Sequence, residues 1–182
     1  MDKLKQLFKK WLTAGLITAN LITVQHWHNT IQVEHWRGSE LIGVHNTTNG
    51  IVDVGLNHLL DVTFDNAAGT ATWLMGLVDN SGFTAFADAD TMASHTGWNE
   101  FTTYSEATRP IWNPDPASAR SISNGTSTDF NITGSGTMKG IFITSNNVKS
   151  GTTGILLATA AFASTIAVSN GDILKITYTI SG

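Results

Sequence analysis

The sequence predicts a mainly β chain: an antiparallel, jelly-roll-like sandwich with a short internal helix and an N-terminal amphipathic arm. From Ala119 onward, short apolar segments alternate with Gly, Ser and Asn turns at the spacing of an antiparallel sandwich. Only 13% of residues are charged, about half the usual share, so hydroxyls and amides must solvate much of the surface. Two stretches, near the start and near residue 55, carry helical rather than alternating spacing.

The first helical stretch is residues 3–12. Leu4, Leu7, Phe8, Trp11 and Leu12 fall at i, i+3, i+4, i+7 and i+8 and form one apolar stripe. Lys3, Lys5, Lys9 and Lys10 lie mostly off it. A helix this short is marginal alone in water, so it needs a surface to lie on. Its own domain and a partner protein fit equally. A membrane surface ranks lower, because nothing else in the chain is membrane-directed. Trp11 to Val24 is interrupted by Thr13, Thr18, Asn20 and Thr23, which argues against a signal peptide, and it is too short for a spanning helix.

After Gly15 the pattern turns to β. Val24-Gln-His-Trp27 and Val33-Glu-His-Trp36 echo each other, and Asn29-Thr30 reads as the turn of a hairpin between them. Period two places Ile31, Val33 and His35 on one face and Gln32, Glu34 and Trp36 on the other. Trp27 and Trp36 are the residue type that anchors interfaces, although core burial is the commoner fate of a large aromatic. His26 and His28, with His35, invite a metal reading. No HExxH-type element accompanies them, so hydrogen-bonded or surface histidines are preferred, and no metal or cofactor is expected. Residues 1–38 thus read as an attachment arm and residues 39–182 as the sandwich body.

In the body, Leu41 to Val44 reads as a strand and Asn46 to Gly50 as a turn. Asp53 can cap a short helix whose Val54, Leu56, Leu59, Leu60 and Phe64 are expected to be mostly buried. Thr72 to Val78 is a continuous apolar run and predicts a strand covered on both faces. Phe83 to Arg109 is the richest stretch chemically, with Asp88, Asp90, His95, Glu100 and Glu106 close in sequence. A hydrolase would use Asp90 or Glu100 as base and His95 as proton carrier. The spacing is that of an irregular loop, and it is not that of an EF-hand, so a structural use is preferred. Arg109 precedes Pro110, which favours an extended backbone where it can pair with Glu100 or Glu106.

Six further strands are expected at Ser121–Ser123, Thr128–Ile132, Thr137–Thr144, Ile155–Leu157, Ile166–Val168 and Ile173–Ile180. In the last, Leu174, Ile176, Tyr178 and Ile180 share one face, and Ile173, Lys175, Thr177 and Thr179 the wetter one.

Composition also narrows function. At 182 residues the chain fits one domain plus an extension. Without Cys there is no disulfide, thiolate zinc site or Cys nucleophile. The net charge is −4, and four of the ten basic residues are Lys3, Lys5, Lys9 and Lys10. The acidic remainder lacks the basic face that nucleic-acid binding requires.

The segments Trp73-Leu-Met-Gly-Leu77, Asp90-Thr-Met-Ala-Ser-His95-Thr-Gly-Trp98-Asn-Glu100, Tyr104-Ser-Glu-Ala-Thr-Arg109 and Gly171-Asp-Ile-Leu-Lys-Ile-Thr-Tyr178-Thr occur in that order. That order resembles a family of small virion structural proteins of tailed bacteriophages, over residues 40–182. The resemblance implies a non-enzymatic, jelly-roll-like body of the head-decoration, cement or head-fibre-base kind. It makes Phe83 to Arg109 an insertion that wraps the sheet, with Trp98 as a buried pin. Trp73, Glu100 and Arg109 join Trp98 as expected structural pins. Implied partners are the major capsid protein or other virion proteins, with further copies of the chain in a homo-oligomer and no membrane. The implied location is the capsid surface, after synthesis in the host bacterial cytoplasm. Residues 1–38 fall outside the resemblance and are the expected attachment device. A tail, neck or fibre location and a glycan-binding adhesin are the alternatives, and a hydrolase ranks third.

Overall fold

The computed structural model describes residues 27–182. The stripe of Leu4, Leu7, Phe8, Trp11 and Leu12, and His26, lie outside the described residues. The elements in chain order are β1 (His28–Arg37), β2 (Glu40–Ile51), α1 (Asp53–Phe64), β3 (Trp73–Asp79), β4 (Asn99–Phe101), β5 (Ile111–Trp112), β6 (Ser121–Ser123), β7 (Thr128–Asn131), β8 (Gly136–Thr144), β9 (Leu156–Val168) and β10 (Asp172–Ser181). The fold is mainly β and its strand pairings are antiparallel.

The strands make one sheet in the order β4-β3-β8-β9-β2-β1-β10-β6, with β5 beside β3 and β7 beside β10. Two halves meet where Gly50 and Ile51 of β2 pair with Thr159 and Ala158 of β9. Their inner faces share one core. Ile31, Val33, Leu174, Ile176 and Tyr178 come from the β1–β10 half, and Met75, Leu77, Ile141, Ile143 and Ala160 from the β3–β8–β9 half. The result is sandwich-like. Alternation in β1 and β10 follows directly, because only one side of those strands meets the core: Val33, Leu174, Ile176 and Tyr178 are all fully buried.

The other half is buried on both faces. A second core of Val52, Val78, Met92, Trp98, Phe142 and Leu156 lies behind β3 and β8, supplied largely by the loop between β3 and β4 and by the approach to α1. That second cover accounts for the unbroken apolar run of β3, whose five central residues are all buried.

Several local expectations need correction. Asn29-Thr30 is not a turn. It lies inside β1, which β10 and β2 flank on both sides, so its backbone groups are paired by the ladder. The turn instead falls at Gly38-Ser39 between β1 and β2, where Gly38 has φ +59°, the left-handed conformation that a two-residue hairpin needs. The boundary expected at residue 38 is therefore a hairpin tip, and residues 28–37 belong to the sandwich. Asn46 to Gly50 is also strand, the continuation of β2 opposite β1. Its polar residues mimic a turn because one face of this strand meets water. Leu156–Leu157 and Ile166–Val168 belong to a single long strand, β9, which Ile155 just precedes and whose two parts are joined through an Ala-rich middle that pairs with β8.

The helix forms where expected but presents a different face. Val52, not Asp53, is its N-cap, without a side-chain cap bond. Gly55 is its buried residue, and it lies so close to β9 that an added Cβ would strike the Leu157 carbonyl. That flush contact turns Leu56, Leu60 and Phe64 outward, and Phe64 is 81% exposed.

Candidate functional site

The stretch richest in ionisable groups is held as a structural clamp. Asp90 is buried, and its Oδ2 accepts both the Ala87 N–H (3.0 Å) and the Trp98 indole N–H (2.9 Å). Those bonds close the loop and drive Trp98 inward, where it is 1% exposed against Phe142 and Phe86. His95 stacks on Trp98 with ring centroids 3.8 Å apart and donates from Nδ1 to the Trp98 carbonyl (3.1 Å). A Cβ at Gly97 would run into the Ala85 carbonyl, so the loop needs glycine here.

The chain then enters β4, which sets Glu100 opposite Val78 of β3. Arg109 meets Glu100 through a two-pronged ion pair, Nε to Oε1 at 2.9 Å and Nη2 to Oε2 at 2.8 Å. Both side chains are buried. The guanidinium also donates to the carbonyls of Asn146 (2.9 Å) and Gly151 (3.2 Å) and lies 5.1 Å from the centre of the Phe142 ring. The Ser150 N–H donates to Glu100 Oε2. Three separate segments are thereby tied together, and such a fully bonded pair can offset the cost of burying its charges. Glu106 does not join this pair but accepts from the backbone and side chain of Asn131.

A cleft of about 260 Å³ opens here, lined by His95, Trp98, Glu100, Arg109 and residues 150–152. Its chemistry is limited by those bonds. A general base needs a free lone pair facing substrate. Both Glu100 oxygens are engaged by Arg109, and Asp90 Oδ2 already holds two donors. His95 is bonded to the Trp98 carbonyl and not to Asp88, Asp90, Glu100 or Glu106, so these residues are neighbours in sequence without a hydrogen-bonded His–carboxylate pair among them. Among the described residues, no group of three His, Asp or Glu side chains is placed to hold a metal ion.

Sequence reasoning missed a second polar cluster. Asp172 is 1% exposed at the start of β10 and accepts from His35 Nε2 (2.8 Å), from Arg37 Nε (2.8 Å) and Nη2 (2.9 Å), and from the Ser169 N–H (2.8 Å). The Arg37 bond first, then those of His35 and Ser169, holds its carboxyl below the usual carboxylate range despite burial. His45, inward on β2, is pushed down by burial and by His35. Asp172 has no local signature in the sequence beyond its place after Gly171, since the side chains that bond it, His35 and Arg37, lie on the first strand. Asn124 was missed for the same reason: its side chain bonds the Trp112 indole, the Tyr178 N–H and the Ile176 carbonyl.

The other candidate residues lie apart. Trp27 is 54% exposed over an apolar hollow formed with Ile122 and Ile180. Trp36 is half-buried on the outer face, donating to Glu34 (2.9 Å) with the Lys175 ammonium 5.7 Å from its ring centre. Trp73 is half-buried, edge-on to His58. The outer face of β2, β1 and β10 carries a shallow, uncharged groove lined by Thr30, Gln32, Asn46, Thr48, Thr177 and Thr179. No helix among the described residues is long and apolar enough to cross a membrane.

No protein-family model matches the chain, and no curated protein matches it.

Proposed function

We propose that this chain is a phage virion structural protein, a capsid-associated decoration or cement protein that docks on the major capsid protein and stabilises the head or displays a surface. The observation that supports it is the use made of the ionisable loop. Asp90 closes the loop on Trp98, and Glu100 and Arg109 hold three segments together, while the aromatic Trp27 remains exposed. That division suits a rigid body that works by contact. Candidate contact elements are Trp27 and the stripe of Leu4, Leu7, Phe8, Trp11 and Leu12.

The test is recovery from purified heads. Hundreds of copies per particle are expected, and a few copies confined to tails would move the protein to the neck or tail. Deleting residues 1–26 should leave the sandwich folded and remove it from particles. Undiminished occupancy by that truncation would overturn the attachment role. Deleting residues 1–38 is not equivalent, because it removes β1 and should abolish folding.

A glycan-binding adhesin is the second reading, favoured by the hydroxyl- and amide-lined groove over Thr30, Gln32 and Asn46. A single sharp specificity on a glycan array, lost in Gln32→Ala, would favour it over cementing.

A further inference from the structure

Helix α1 carries an outward ridge that the rest of the described chain does not cover. Leu56, Leu60 and Phe64 recur every four residues along one side and are 40%, 46% and 81% exposed, while the opposite side lies flush on β9 through Gly55. The ridge is about 12 Å long at 1.5 Å per residue. Exposed Asp53, Asp61 and Asp65 flank it, and no basic residue stands in the last turn.

The sequence contains one segment complementary to this ridge in three respects. Leu4 to Leu12 is an apolar stripe of the same residue span, so as a helix it would have the same length. It is bordered by Lys3, Lys5, Lys9 and Lys10 where the ridge is bordered by aspartates. It is also tethered close by. Asn29 of β1 pairs with Asn49 of β2, four residues before α1 begins, so the chain from Trp27 backward starts at the end of the sheet where the helix starts. Residues 13–26 can span up to about 45 Å at 3.3 Å per residue, more than twice the helix length. A tether of that kind gives an effective concentration in the millimolar range, which favours the chain's own stripe over that of another copy in dilute solution.

We infer that in the free protein residues 3–12 dock, in the same chain, on the Leu56–Leu60–Phe64 ridge of α1. The contact is apolar at its centre and Lys–Asp at its rim. A partner that takes up the stripe must then displace it from α1. The inference concerns the free protein and does not depend on the virion reading.

Because the chain has no Cys, engineered disulfides give a clean test. Leu7→Cys with Leu60→Cys, oxidised at low micromolar concentration, should close within one chain, at least tenfold faster than Leu7→Cys with Ile42→Cys at the far end of β2. A dimer-sized product would assign the ridge to a second copy, and equal rates at the two positions would remove it as a docking site; either result overturns the inference. Trypsin cleavage after Lys9 and Lys10 gives an independent readout. Phe64→Asp, at an exposed position that leaves the sandwich intact, should speed that cleavage at least tenfold, as should high salt to a smaller degree. Unchanged cleavage in Phe64→Asp would also overturn it.

Discussion

The two halves of the sheet are built from similar strands but hold their outer faces in opposite ways. Behind β3 and β8 lies a second apolar layer, pinned by Trp98 and locked by Glu100 and Arg109. Behind β1 and β10 no second apolar layer is found among the described residues, and the outward residues include Thr30, Gln32, Thr177 and Thr179. The difference shows what the loop between β3 and β4 is for. It converts one half-sheet from a two-sided surface into an interior, and it needs buried charge to do so because a long loop has few ladder bonds of its own.

The contrast can be broken most severely at Arg109. Arg109→Met removes one partner of a buried pair and leaves Glu100 without its counter-charge, which should cost about 3–5 kcal/mol of unfolding free energy. Urea titration measures it, and a loss below about 1 kcal/mol would mean that the clamp is not what holds the second layer. Asp172→Asn tests the other half, where the ionic cluster of buried Asp172 with His35 and Arg37 sits at the strand ends. The expected loss is about 2 kcal/mol, the size of hydrogen bonds to a charged group. Its sign with pH is fixed. Because the folded carboxyl titrates below the unfolded value, the contribution is fully present well above about pH 4 and fades as pH falls through that value toward the depressed one. Wild type should therefore lose stability on acidification more steeply than Asp172→Asn, and parallel curves would count against this. The smallest effect belongs to the open face. Thr177→Val should shift stability by no more than about 0.5 kcal/mol. A larger shift would show that the groove is not simply solvated.

The halves also differ in how well the sequence describes them. Alternation in β10 and the unbroken run of β3 each encode how many faces are covered, so both strands and their inward residues could be read directly. Asn46 to Gly50 could not, because a strand face open to water accepts the same residues as a turn. The orientation of α1 was hidden for a related reason: it carries leucines on more than one side, and Gly55, the smallest residue, decides which side meets β9. At the clamp, the extended Arg109 and a nearby glutamate were legible, but the choice of Glu100 over Glu106 depends on β4 register. The Asp172 cluster joins side chains 135 residues apart and has no local signature.

The pairing of β1 with β10 has a consequence for the order of folding. Ser181 bonds back to His28 across 153 residues, and Ile31 and Val33 face the core from a strand whose second neighbour, β10, comes after all the other described strands in chain order. During synthesis β1 can form a hairpin with β2, yet its second hydrogen-bonding edge must wait unpaired until β10 emerges. Contacts of such sequence separation make for slow closure and a long interval in which a strand edge is open to other chains. Folding yield should consequently depend on protein concentration and temperature, more than the modest size of the chain would suggest.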